Sequence, residues 1–247
     1  MGENKLNDEI EGQVALGEEK IETIAHKDSA LKRLDVSFNK HIELMEYKTS
    51  NLLAYWIKDF AKYHDEEKTF TAKSLKIFKR GDIVKANLGF NIGNELGGLH
   101  YCIVINNNDN LYSGNLNVIP LSSAKEDKEY NETTCIDLKD ELYTLLDNKY
   151  QYEMTSALKN FEKVKEITEI TSDNVYKLSR KIALLKNLEK ELEKMKHGSI
   201  AYVHQITTIS KQRIFRTPIL SGIRISSESL DLIDEKIDSL FTKNSKN

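Results

Sequence analysis

Imidazole and thiol side chains, which are common zinc ligands and nucleophiles, are few in this sequence. Among 247 residues there are six histidines and two cysteines, Cys102 and Cys135. The cysteines lack the spacing of a zinc-binding pair, and Cys102 lies in the apolar run YCIVI, where a buried thiol is expected. Free thiols are typical of a reducing compartment. We therefore expect no metal site, no cofactor and a cytoplasmic location.

The remaining candidates are hydroxyl, imidazole and basic groups near predicted strand ends. His100 stands at a strand edge, where a histidine is most simply a hydrogen-bonded structural residue. Ser122 and Ser123 end the run NVIPLSS, where serines are ordinarily turn residues. Lys211, Arg213 and Arg216 belong to the loop KQRIFRTP, and a basic loop either contacts phosphates or is simply solvated. The residue types alone leave these alternatives open.

The glycines place these candidates in a β module. Six of the eleven lie between Gly81 and Gly114, and none occurs in 18–80 or 115–197. Because glycine allows tight turns between short strands, this distribution predicts a compact β module flanked and interrupted by helices. The net charge is −3, although residues 76–124 and 197–247 together carry eleven basic and eight acidic side chains. That small surplus slightly favours phosphate binding.

Hydrophobic periodicity predicts the helices. Apolar residues recur at three- and four-residue steps over 29–63, which predicts one long amphipathic helix after a shorter one over 14–25. Leucines recurring every seven residues predict a helical hairpin over 139–196. Ser226 or Ser227 is expected to cap a terminal helix. Strands are predicted for the runs IFKRGDIVKANL, LHYCIVIN, NLNVIPLSS, TTCIDL and SIAYVHQITTIS. No apolar run is long enough to span a membrane.

Four blocks in the β module resemble, in order, the MazF/PemK (Kid) family of toxin ribonucleases. They are RGDIVKANLG, NIGNELGG, HYCIVINN with NVIPLSS, and HQITTISKQRI. The resemblance implies an α+β fold, a small SH3-like β-barrel of the MazF/PemK/CcdB type with a C-terminal helix. It covers roughly residues 76–137 and 198–243 of a barrel domain over 76–247, whereas the N-terminal helical extension (1–75) and the inserted helical hairpin (139–196) are departures from the family.

The resemblance also implies a function. Family members are toxins of type II toxin–antitoxin systems, and they cleave single-stranded RNA without metal by attack of the 2′-hydroxyl. The family's catalytic arginine and threonine correspond to His100 and Ser122. The implied substrate-binding residues are Glu95, Ser123, His204, Gln205 and Arg213. The implied partners are single-stranded RNA, an antitoxin protein and a second copy of the chain as a homodimer, with no membrane.

The histidine at position 100 leaves the chemistry open. An arginine is always charged, whereas a histidine is charged only near or below neutral pH. The exchange either moves the site toward proton transfer, with His100 and His204 as an acid–base pair, or marks the loss of catalysis. The alternative to an enzyme is therefore a catalytically inactive MazF-like binding or regulatory module. Gyrase-poisoning toxins share the fold, but no feature of the sequence selects that activity.

Overall fold

The computed structural model describes residues 2–125, 129–165, 171–195, 197–215 and 220–242. The chain divides into two compact units, residues 1–58 and 59–247. None of the helices in the described parts of the chain is long and apolar enough to cross a membrane. The domain boundary expected at residue 75 stays a prediction.

The N-terminal helices differ from their prediction. Helix α1 spans Gly2–Glu43 and helix α2 spans Tyr47–Glu66. The short helix expected over 14–25 is therefore part of α1, and the single helix expected over 29–63 is wrong, because the chain breaks between the two helices.

The break between α1 and α2 is a Schellman motif. Met45 has a left-handed backbone, with φ of 57°. Its N–H donates to the Ile42 carbonyl at 3.0 Å, and the Glu46 N–H donates to the His41 carbonyl at 2.8 Å. These two bonds satisfy the last carbonyls of α1. Glycine or asparagine usually occupies the left-handed position, so a methionine there gives no sequence signal.

The described residues of the second unit form six strands. They are β1 (Ile83–Asn87), β2 (Leu99–Val104), β3 (Asn115–Ser123), β4 (Ile136–Asp137), β5 (Ser199–Ala201) and β6 (Thr207–Ser210). Their order is β1-β2-β3-β5-β4, with β6 also beside β3, and all pairs are antiparallel. Helices with an antiparallel sheet make this an α+β chain, as predicted. The sheet is open between β1 and β4.

Strand β3 is the centre of the sheet. Val118 pairs with Val104 of β2 and also with Thr207 of β6, so those two strands lie on opposite edges of β3. The run SIAYVHQITTIS was predicted as one strand, but the short 3₁₀ helix Val203–Gln205 divides it into β5 and β6. This turn moves the side chains between the two strands away from the regular alternation of a strand.

The predicted hairpin is present and joins the main core at its base. It consists of α3 (Glu141–Lys165) and α4 (Ser172–Lys194), called the inserted hairpin below. Its basal apolar side chains pack in one cluster with Ile83, Ile103 and Ile119 of the sheet. They are Leu142, Leu146, Leu188, Leu192 and Met195. The base of the hairpin is therefore fixed to the sheet by hydrophobic burial.

Gly198 lies just after the inserted hairpin, and Ser226 caps the terminal helix. Gly198 follows the hairpin with φ of +91°, and a Cβ there would lie 2.6 Å from the Lys139 carbonyl oxygen. A glycine is therefore required where the chain re-enters the sheet. The terminal helix α5 spans Ser227–Phe241, and its N-cap is Ser226, whose hydroxyl accepts a hydrogen bond from the Ser229 N–H at 3.2 Å. The predicted cap is confirmed at Ser226.

Candidate active site

His100 and Ser122 lie on the same face of the sheet. Cys102 pairs with Pro120 in the antiparallel ladder of β2 and β3. His100 comes two residues before Cys102 on β2, and Ser122 comes two residues after Pro120 on β3, so each shares the strand face of the paired residue beside it. Both line one cavity of about 320 Å³, called the His100 cavity below. Its polar lining also includes Lys85, Ser123, Glu191 and Lys194.

The imidazole of His100 is oriented by the backbone. Its Nδ1 atom lies 2.8 Å from the carbonyl oxygen of Leu121. A carbonyl only accepts hydrogen bonds, so Nδ1 carries a proton, and in the neutral ring Nε2 carries the lone pair. The side chain is half-buried at the wall of the cavity. His100 is therefore arranged as an acceptor, the form that takes a proton from a substrate.

The two neighbouring serines differ in their hydrogen bonds. The Ser123 hydroxyl donates to the backbone carbonyl of Lys194 at 2.9 Å, which ties the end of α4 to β3. Within the part of the chain that the structure describes, the Ser122 hydroxyl has no hydrogen-bond partner, and the residue is half-buried. Ser122 can therefore donate to a bound group, whereas Ser123 already anchors the inserted hairpin.

Glu191 brings a carboxylate from the inserted hairpin into the His100 cavity. It accepts hydrogen bonds from Lys85 Nζ at 2.8 Å, Tyr101 Oη at 2.7 Å and Lys194 Nζ at 3.2 Å. Burial alone would raise the pKa of Glu191, but the hydrogen bonds from Lys85 and Tyr101 and the charge of Lys85 outweigh it and lower that pKa. Glu191 is therefore ionised. Burial and the Glu191 carboxylate raise the pKa of Tyr101.

Sequence reasoning missed this cluster. Glu191 stands among the charged residues that fill the leucine heptads, and nothing in its spacing separates it from its neighbours. Lys85 alternates along β1 as a solvent-facing strand residue would. Only the packing of α4 against β1 and β2 brings the two charges together, and both side chains are about 15% exposed (14% for Lys85 and 16% for Glu191).

The other predicted site residues line a second cavity of about 420 Å³. Its lining includes Glu95, His204, Gln205 and Arg213, and it is called the Gln205 cavity below. The Gln205 side chain accepts from the Leu96 N–H at 2.7 Å and donates to the Asn94 carbonyl at 3.1 Å. Both bonds hold the glycine-rich loop between β1 and β2. Gln205 therefore fixes this loop through its backbone.

Lys211 and Arg213, the described basic residues of the loop after β6, are both bonded within the fold. The Arg213 Nε atom donates to the Asn87 carbonyl at 2.7 Å, and burial lowers its pKa. Lys211 is 1% exposed and pairs with Asp109 at 2.6 Å. The interpretation of Lys211 as a phosphate contact is therefore wrong, because its charge is buried and already paired. Arg216 lies outside the described residues.

The two histidines of the expected acid–base pair line different cavities. His204 is exposed, and its Nδ1 atom lies 3.1 Å from the Thr134 carbonyl oxygen. His100 points into the other cavity, where its ring is bonded to Leu121. The structure therefore brings His100 together with Ser122 and Ser123, and His204 together with Glu95, Gln205 and Arg213.

The His100 cavity combines the groups that phosphate chemistry needs. It offers an imidazole acceptor, a hydroxyl donor and lysine charges beside an ionised carboxylate. Such a set can move a proton and hold a phosphate group. Among the side chains that the structure describes, no group of three or more His, Cys, Asp or Glu is arranged to hold a metal ion.

Comparison with known proteins gives a family match for the segment that contains strands β1 to β4. Residues 79–186 match the family model of the PemK-like, MazF-like toxins of type II toxin–antitoxin systems. The match includes His100 and Ser122 and ends inside α4, before Glu191. No curated protein matches the chain. Residues 79–186 are therefore similar to this toxin family over somewhat less than half of the chain.

Proposed function

We propose that this chain is an endoribonuclease toxin that cleaves single-stranded RNA without metal, by attack of a 2′-hydroxyl on the adjacent phosphorus. The observation that carries the proposal is the shared cavity of His100 and Ser122, with the Nε2 lone pair of His100 fixed by the bond from Nδ1 to Leu121. The family match supports a toxin of this class.

The proposed chemistry assigns one task to each group. Nε2 of His100 takes the proton of the 2′-hydroxyl while the 2′-oxygen bonds to phosphorus. The Ser122 hydroxyl donates to a non-bridging phosphate oxygen, where negative charge develops. The bond to the 5′-oxygen breaks, and that oxygen takes a proton from water or from the imidazolium just formed. The products are a 2′,3′-cyclic phosphate and a 5′-hydroxyl.

The direct test is incubation of the purified full chain with single-stranded RNA of mixed sequence in EDTA. We expect cleavage products that end in a 2′,3′-cyclic phosphate. A matched DNA oligonucleotide is the control, because it lacks the attacking 2′-hydroxyl and should stay intact. The absence of RNA cleavage around neutral pH, together with no growth arrest on expression, would reject the proposal.

The Gln205 cavity supports a role in holding the RNA strand. Gln205 and Arg213 use polar groups to bind backbone carbonyls and amides. Glu95 and His204 are exposed at the same cavity, so they are the members of the predicted set that can reach a nucleotide. We propose that this cavity binds the RNA next to the cleaved bond, with Glu95 and His204 as the contacting side chains.

A second candidate is a binding module without catalysis. It is favoured by the large apolar side chains exposed on the helical additions, such as Ile21 (69%) and Leu31 (57%) on α1 and Tyr176 (60%) on α4. Exposed apolar residues on a helix are typical of a partner surface. The EDTA assay separates the candidates, because a binding module would retain the RNA or a protein without cleaving it.

The SH3-like barrel, the homodimer and the antitoxin partner of the family belong to the same proposal. We propose that the open sheet is a form of the SH3-like barrel. The single bridges from Ala86 to Ile214 and from Asp82 to Arg224 support it, since they join β1 and the residue before it to segments after β6. A homodimer and an antitoxin partner are further proposals from the family. Light scattering of the purified chain, alone and with the protein of the neighbouring gene, tests both.

A further inference from the structure

The inserted hairpin supplies charge to the His100 cavity. Glu191 and Lys194 belong to α4, and both line the cavity that contains His100 and Ser122. We propose that Lys194, held beside Lys85 by Glu191, binds a phosphate of the single-stranded RNA, so that the inserted hairpin completes the site. This inference rests on the proposed function, because its ligand is the RNA substrate.

The charge balance of the cavity favours an anion. Among the residues that the structure describes, three lysines line it, Lys85, Lys125 and Lys194, against one carboxylate, Glu191. Lys85 is mostly buried and bonded to Glu191 at 2.8 Å, so its charge is largely neutralised. The Lys194 side chain is 63% exposed and lies 3.2 Å from the same carboxylate, so it can turn one face to Glu191 and the other to a ligand.

The reaction needs a permanent cation that His100 does not provide. His100 acts as a base only while its ring is neutral, and its Nδ1 proton is already bonded to Leu121. Negative charge on the non-bridging oxygens then needs another partner, and a lysine ammonium offers three donors and a compact charge. Lys194 lines the same cavity as His100 and Ser122.

The position of Lys194 is fixed by its backbone and by its neighbours. Its carbonyl accepts a hydrogen bond from the hydroxyl of Ser123, the residue that follows Ser122. The next residue, Met195, is 3% exposed in the main core, and Leu192 is 8% exposed there. A cation on this turn therefore keeps its place relative to Ser122 without the cost of ordering a loop.

The test uses salt dependence, which counts phosphate contacts. A short 2′-O-methyl oligoribonucleotide lacks the attacking hydroxyl and serves as the uncleaved probe. Each phosphate contact to a single strand contributes about 0.7 to the slope of log K against log salt. We expect Lys194→Gln to lower that slope by about 0.7 and to weaken binding about fivefold at about 0.1 M salt. Lys190→Gln is the matched control, because Lys190 is exposed on the same helix outside the cavity lining.

A second variant separates positioning from charge. Glu191→Gln removes a negative charge from the cavity and loosens Lys85 and Lys194. We expect KM for RNA to fall and kcat to fall as well, whereas a protein with a smaller folded fraction would show a lower kcat at unchanged KM. An unchanged kcat in Glu191→Gln would overturn the positioning role.

The outcomes separate the inference from the proposed function. If the wild-type chain neither binds nor cleaves RNA, the proposed function fails, and the inference fails with it. If the wild-type chain cleaves RNA but Lys194→Gln has the slope of Lys190→Gln, only the inference fails. A reduced slope for Lys194→Gln beside an unchanged slope for Lys190→Gln supports it.

Discussion

The His100 cavity and the Gln205 cavity lie beside the same strand, β3, but their polar side chains are used differently. Gln205 makes two hydrogen bonds to the backbone of the β1–β2 loop, and Arg213 makes one to the end of β1. At the His100 cavity, the imidazole is held through one nitrogen only, and the Ser122 hydroxyl is not bonded to any described residue.

The hydrogen bonds distinguish residues that stabilise the fold from residues that are available to react. Both cavities contain residues that the family resemblance implies, so the resemblance does not rank them. The hydrogen bonds do, because a side chain already bonded to the backbone has fewer groups left for a substrate. Substitution of Gln205 should therefore change stability first, and substitution of His100 or Ser122 should change chemistry first.

The largest effect is expected for His100→Ala. Loss of the general base should lower RNA cleavage by about 10²–10⁴-fold. Stability should change by only about 1 kcal/mol, since one hydrogen bond to a carbonyl is lost. The rate is measured under single-turnover conditions and the stability by urea unfolding. His26→Ala on α1 is the control. A cleavage rate as high in His100→Ala as in His26→Ala would contradict the role of His100 as the general base.

The adjacent serines give the sharpest contrast within one strand. Ser122→Ala should lower cleavage by roughly 10²-fold, because a donor to the phosphate oxygens is lost, with little change in unfolding. Ser123→Ala should cost about 1 kcal/mol of stability, because the hydrogen bond to the Lys194 carbonyl is lost, and should lower cleavage less. The reverse pattern would show that the two hydroxyls have been assigned to the wrong roles.

Gln205→Ala should act on stability. Truncation leaves the Leu96 N–H and the Asn94 carbonyl without their partner, at a cost of about 1–3 kcal/mol. Urea unfolding measures the loss, and hydrogen exchange at the Leu96 amide should speed up in parallel. Gln151→Ala, at an exposed position of α3, is the matched control. A full loss of cleavage at unchanged stability would place Gln205 with the reacting residues instead.

The smallest expected effect is the contribution of Glu191 to the pH dependence of the free energy of unfolding. The pKa of Glu191 is lowered in the folded chain, because its hydrogen bonds to Lys85 and Tyr101 outweigh burial. Its contribution to the free energy of unfolding is therefore complete above about pH 4.3, the ordinary pKa of glutamate, and is lost as pH falls through the folded value. Urea unfolding at descending pH should show a shallower decline for Glu191→Gln than for the wild type.

Part of that decline should persist in Glu191→Gln. Burial alone would raise the pKa of Asp82, but the hydrogen bonds from Lys76 and Arg224 outweigh burial, so the pKa is lowered. The pKa of Glu153 is lowered chiefly by the hydrogen bond from Lys181. Identical pH dependence in the wild type and Glu191→Gln would mean that the carboxylate of the His100 cavity contributes nothing to acid stability.

Elements with local signals were predictable from the sequence. The run NLNVIPLSS corresponds to β3 from end to end, because its alternation and flanking polar loop are visible in the chain. Ser226 caps α5 as its spacing predicts. The expectation that His100 and Ser122 share one site came from two sequence blocks, and both residues line one cavity.

Features that depend on distant contacts were not predictable. Met45 ends α1 in a left-handed conformation without the usual glycine signal. Gln205 is a fastening residue only because the β1–β2 loop lies against it, and Glu191 reaches Lys85 and Tyr101 only because α4 packs on the sheet. In each case the role of the side chain is set by a segment far away in the sequence.

The most direct test of the shared site is a double-mutant cycle in single-turnover RNA cleavage, with His100→Ala, Ser122→Ala and the double variant. Residues that act on one phosphate act as a unit, so their losses are far from additive. We predict that the double variant cleaves about as slowly as His100→Ala alone. Losses in activation free energy that simply add would contradict the claim that both side chains serve one reaction centre.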